Sequence, residues 1–150
     1  MVAVQQHRAG DAIKFASTAL ELDPGFVFAH VRLGMAYELQ GQYDAAIGEF
    51  VKAVPPLREV APGWEGLLAH ALARVGRREE AEGILADLHQ CAGRRYVDSL
   101  LLAVAHAGLG QTEEAIECLE HAELCSWTFC TLPHEFSSFK RQGAANGLRL

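Results

Sequence analysis

The sequence predicts an all-α fold made of stacked helix pairs, and three observations predict it. First, one set of positions recurs. Leu33, Gly34, Tyr37, Gly41, Ala46, Phe50 and Ala53 return 35 residues on as Leu68, Ala69, Leu72, Gly76, Ala81, Leu85 and Leu88. They return after 34 more as Leu102, Ala103, His106, Gly110, Ala115, Leu119 and Ala122. A repeat of that length is one supersecondary unit that buries its apolar face only by stacking. Second, the apolar members of each set lie three or four residues apart, and a glycine divides the set. Third, half of the 150 residues are hydrophobic but only 8% are aromatic, with Ala and Leu dominant. That usage favours helices over strands.

The elements follow in order. Ala12, Ile13, Ala16, Ala19 and Leu20 mark an apolar stripe over 7–22, which Asp23-Pro24-Gly25 ends. The residue before a proline is pushed out of the helical region. A second helix spans 26–40 and stops at Gly41, a left-handed capping position. The third spans 43–54, with Pro55-Pro56 as its expected end and 57–61 as a connector. Pro62 and Trp64 open a fourth helix that ends near Val75-Gly76, and its partner covers 78–90. Gly93 separates the pairs. A long apolar helix covers 96–109, Gly110 stops it, and Thr112 stands as the N-cap of a last helix running to about 123. Glu113 and Glu114 then suit the positive end of that helix.

Charge and cysteine usage exclude several classes. The formal net charge is -6 at pH 7, with no cluster of Lys or Arg, so neither nucleic acid nor an anionic membrane is expected as partner. No signal peptide and no membrane span is legible, and a cytoplasmic protein with reduced thiols at Cys91, Cys118, Cys125 and Cys130 is expected.

The recurring positions resemble the tetratricopeptide repeat, most closely over 29–53. Ala19-Leu20-Glu21-Leu22-Asp23-Pro24 resembles the end of another such repeat, while Leu72 and His106 replace the tyrosine in the later two. The resemblance implies a helical solenoid of about seven antiparallel helices forming a single domain over 1–150. Its parts are a half repeat at 7–22, repeats at 26–54, 62–91 and 96–123, and a capping tail at 124–150. It also implies a concave groove lined by the first helix of each pair, and a scaffold that holds peptides or proteins rather than an enzyme. The stretch 96–120 further resembles repeats attached to bacterial regulators, so a regulatory or sensory segment of a larger regulator is the alternative reading.

The two ends differ. Helix 7–22 is the second half of a repeat without its first half, so Ile13, Ala16, Leu20 and nearby Phe15 lack a partner on one side. Three readings are open: a piece of a longer protein, self-association into a homodimer through this orphan helix, or residues 1–10 folded back over it. At the other end Trp127, Phe129, Leu132, Phe136 and Phe139 crowd a short tail. They read as an aromatic cap, with a short helix over 134–141, or as a docking anchor.

Inward-facing offsets on the first helices give the candidate partner-binding groove: Phe28, Val31, Arg32, Met35, His70, Arg74, Leu100 and Val104. An apolar groove suits an amphipathic helix or hydrophobic strip of a partner, or is filled by the tail or a second copy. No catalytic set is legible. His89 and Cys91 fall on different helix faces, and Gly108-Leu109-Gly110 is a helix stop rather than a phosphate loop. His121, Cys125, Cys130 and His134 have soft metal-ligand chemistry, but their spacing fits no familiar zinc site. No metal and no cofactor is therefore expected, and a small zinc or thiol protein stays as the minor alternative.

Overall fold

The computed structural model describes the backbone of residues 2–121 and the side chains of residues 8–120. Seven helices fill that span: α1 (Val2–Leu22), α2 (Val27–Leu39), α3 (Tyr43–Val60), α4 (Glu65–Arg74), α5 (Arg78–Ala92), α6 (Ser99–Gly108) and α7 (Thr112–His121). Helix α1 packs on α2. The pairs α2–α3, α4–α5 and α6–α7 follow, with α3 packing on α4 and α4 on α6. The expected capping tail at 124–150 lies outside the described residues.

Each pair turns through the same hydrogen-bonded corner. Gly41, Gly76 and Gly110 have φ of 73°, 86° and 76°, a region that costs an L side chain energy and glycine nothing. The residue after each glycine donates five residues back. Gln42 N–H reaches the Tyr37 carbonyl at 2.9 Å, Arg77 the Leu72 carbonyl at 2.9 Å, and Gln111 the His106 carbonyl at 3.0 Å. The glycine N–H groups donate to the carbonyls of Glu38, Ala73 and Ala107. This double bond pattern satisfies carbonyls that a helix end would leave open. It also reverses the chain so that the second helix lies against the first.

Small residues set how closely the helices approach. Ala46, Ala69, Ala81, Ala103 and Ala115 have no exposed surface. At Gly34 a β-carbon would stand 2.5 Å from Cε1 of Phe50, so the glycine makes room for that ring. Phe50, itself 1% exposed, fills the heart of the first complete pair. One core cluster runs from Val31 to Leu109 across α2–α6, and a smaller one (Ala16, Ala29, Leu33) joins α1 to α2.

Several boundaries differ from the sequence expectation, and α4 begins at Glu65 rather than at Pro62. Helix α3 does not stop at Pro55-Pro56 but continues to Val60. The carbonyls that the two prolines leave unbonded belong to Val51 and Lys52, both exposed, so water can satisfy them. The gain is a buried stripe (Ala46, Phe50, Ala53 and Leu57) that keeps its three-and-four spacing straight through the prolines. Helix α6 begins at Ser99 rather than at 96, because Asp98 caps it: its Oδ1 accepts from the Leu100 N–H at 2.9 Å. Thr112 is the first helical residue of α7, not its cap; the Gln111 carbonyl already accepts from Ala115 N–H at 3.1 Å. Helix α1 extends back to Val2 instead of starting at 7.

Candidate partner-binding face

The first helices α2, α4 and α6 carry all eight groove candidates. Phe28, Arg32 and Arg74 are exposed, Phe28 at 46%. Val31, Met35, His70, Leu100 and Val104 are buried, so only three of the eight candidates are exposed. Two glycines give the physical reason. A β-carbon at Gly66 would collide with the Leu101 carbonyl oxygen, and one at Gly108 would stand 2.7 Å from the His70 Cα. Helices α4 and α6 therefore meet backbone to backbone, which closes the space between them over Val104 and its neighbours. Gly66 and Gly108 lie on facing helices outside the recurring set, which is why the repeat pattern did not reveal the contact.

A buried hydrogen bond ties α2 to α4, and an exposed one ties α4 to α3. His70 Nδ1 donates to Glu38 Oε1 at 2.9 Å, linking α4 to α2 in a site where both side chains are almost wholly enclosed. Arg74 Nε donates to the Tyr43 hydroxyl at 3.2 Å, and its guanidinium lies 5.3 Å from the centroid of that ring. Arg32 makes no ion pair among the described residues.

An aromatic edge continues this face at the helix starts. The Phe26 and Phe28 rings meet at 6.4 Å, and Phe28 meets Trp64 edge-on at 6.0 Å and 79°. Beyond Trp64 opens a cleft of about 380 Å³ lined by Val60, Ala61, Pro62, Trp64, Arg95, Tyr96, Asp98 and Leu101. Sequence reasoning missed it, because it placed Tyr96 inside a helix. The available signal was Asp98-Ser99 ahead of the apolar run 100–105, which marks a capped start and leaves 94–97 as loop.

Two tetratricopeptide-repeat family models match the chain, one over residues 15–48 and one over 100–123. Both stretches are thus tetratricopeptide-repeat sequence, in keeping with the all-α helical repeat. The first match begins within α1, covers all of α2 with the corner at Gly41, and ends within α3. The second covers the last pair of tetratricopeptide helices, the corner at Gly110 included. Neither the curated proteins nor the solved structures yield a match. Repeats of this family mediate protein–protein interaction and are typically non-catalytic.

The remaining candidates are placed as follows. His106, in the tyrosine position of its repeat, donates from Nδ1 to Gln111 Oε1 at 2.8 Å and accepts at Nε2 from His89 Nε2 at 3.2 Å. It is a hydrogen-bonded core histidine joining α5 to α6. Cys118 faces the core, and burial, then Glu117 and Glu114, raise its thiol above the ordinary value. That makes it a weak nucleophile at neutral pH. Cys125, Cys130, His134 and the side chain of His121 lie outside the described residues, as do the tail aromatics Trp127, Phe129, Leu132, Phe136 and Phe139. No group of three metal-ligating side chains occurs among the described residues, and none of their helices is long and apolar enough to cross a membrane.

Proposed function

We propose that the chain is a protein–protein interaction scaffold that engages a partner protein or peptide along the open side of its first helices. Phe28, Arg32 and Arg74 make the direct contacts, while Val31, Met35, His70, Leu100 and Val104 support them from beneath. The observation that carries this reading is the exposed Phe28 on α2 beside Arg32, which has no ion pair among the described residues, in a chain that carries protein-binding repeats. A half-exposed aromatic next to an available guanidinium is the composition of an interface anchor. Isolation of partners from native extract with the wild-type chain and with Phe28→Glu/Arg32→Glu tests it. At least one protein is depleted about tenfold or more with the variant, a loss of ~1.4 kcal/mol, while helical circular dichroism is unchanged. An identical partner set for both chains would refute the assignment.

Self-association through α1 is the second reading, and a specific observation favours it. Phe15 and Leu22 are 78% and 85% exposed, on the same stripe as the half-buried Ala12 and Ala19. In an antiparallel two-fold pairing centred on Ser17, Phe15 of one copy meets Ala19 of the other and Leu22 meets Ala12. Large residues thus enter the places of small ones, as an isologous interface requires. Sedimentation of the wild type as a dimer, and of Phe15→Lys as a monomer, is the expected result. A strictly monomeric wild type at high concentration would remove this reading.

A further inference from the structure

We propose that the cleft between the α3–α4 and α5–α6 loops binds an extended peptide through one bulky apolar side chain and an adjacent carboxylate. The inference rests on the protein-binding reading above and names a second point of contact with its own chemistry.

The cleft is apolar at its base and rim. Leu101 and Pro62 are buried, Trp64 is half-buried, and Val60 and Tyr96 stand 80% and 79% exposed at the opening. A volume of about 380 Å³ is within the range of sites that enclose ligand groups. Its walls are fixed in advance. The Glu65 carboxylate accepts from Gly63 N–H at 2.9 Å and pairs with Arg58 at 3.2 Å, holding the first loop. Nη2 of Arg95 donates to the Glu59 carbonyl at 2.8 Å, which clips the second loop to the end of α3. A site already ordered loses little conformational freedom when it is filled.

Charge selects the second group. Arg95 and Asp98 both line the cleft, yet neither forms an ion pair among the described residues. The two are not equivalent. Asp98 caps α6 and faces the positive end of that helix, which balances its charge. Among the described residues Arg95 is bonded only to a neutral carbonyl, so the charge left without a partner there is positive. A carboxylate there pairs with the guanidinium through its remaining N–H groups.

Continuity argues for a chain rather than a small molecule. From Trp64 the apolar surface runs on to Phe28 and Phe26 through ring contacts of 6.0 and 6.4 Å. A ligand that fills the cleft and follows this edge is an extended peptide.

The test titrates the 15N-labelled full chain with acetyl-Gly-Trp-Asp-Gly-amide and with its lysine counterpart, acetyl-Gly-Trp-Lys-Gly-amide. The aspartate peptide binds about threefold more tightly, the scale of an accessible ion pair, and shifts the Trp64, Tyr96 and Leu101 signals. Arg95→Gln removes the preference, and Arg95→Glu reverses it. Tyr96→Ala weakens both peptides alike and keeps their ratio. Equal binding of the two peptides, an order that Arg95→Glu leaves unchanged, or no shift at the cleft overturns the proposal. Shifts confined to Phe28 and Arg32 also overturn it, yet leave the first-helix face as the binding surface.

Discussion

At the scale of single residues, the fold depends on where side chains are missing. Gly34 is filled from across the pair by Phe50, whereas Gly48 and Gly83 on α3 and α5 face open space. These glycines therefore respond in opposite directions to the same change. Gly34→Ala forces the Phe50 ring aside and costs about 1–3 kcal/mol, as overpacked cores do. Gly48→Ala and Gly83→Ala each add about 0.5–1 kcal/mol, because alanine is the better helix former and restricts the unfolded chain. Urea unfolding of the three variants checks the contrast. His89 supplies a pH dependence. Burial, and then neighbouring His106, hold its imidazole below the ordinary value of 6.5. The unfolded chain thus takes up this proton first, and stability declines as pH falls through 6.5 towards the lowered folded value. The melting temperature drops over that window in the wild type, and His89→Gln flattens the drop. Glu49 acts at lower pH. Burial works to raise its carboxyl, but the hydrogen bonds from Lys52 and His30 outweigh that and hold it below 4.5, so its contribution is lost only as pH falls further.

At the scale of elements, the helix corners were legible and the helix lengths were not. Gly41, Gly76 and Gly110 announced their turns because a left-handed corner leaves few alternatives to glycine. Pro55-Pro56 suggested a stop, since local chemistry opposes helix there by about 3 kcal/mol per proline. Tertiary packing prevailed, because the continued helix places Leu57 in the core at 7% exposure. Leu57→Ala therefore costs about 2–5 kcal/mol in thermal or urea unfolding, a loss expected of a buried leucine and not of a connector residue. A change under about 0.5 kcal/mol would mean that α3 gains nothing beyond Val54. The candidate face was legible in part for the same reason. Periodicity placed Phe28, Arg32 and Arg74 on the first helices, but it cannot report how near two helices lie. That distance is set by Gly66 and Gly108, which bring α4 and α6 into backbone contact and bury Leu100 and Val104 among the described residues.

At the scale of the whole molecule, each pair buries its face only against the next, and the buried Glu38–His70 hydrogen bond ties the first complete pair to the second. The stack is thus a rigid ground on which Phe28, Arg32, the aromatic edge and the Arg95 cleft hold fixed positions. Rigid presentation is what a scaffold supplies, since it spares a partner the entropy of ordering the surface it meets. The central claim is that binding runs through the open side of the first helices. Its most direct measurement is the calorimetric affinity of a recovered partner for the wild-type chain and for Arg32→Glu/Arg74→Glu, each at low and high salt. The account predicts that the variant binds about tenfold or more weakly at low salt and that the gap narrows as salt rises, because exposed charges are screened. Equal affinities at both salt concentrations, with the variant fully folded, would contradict it.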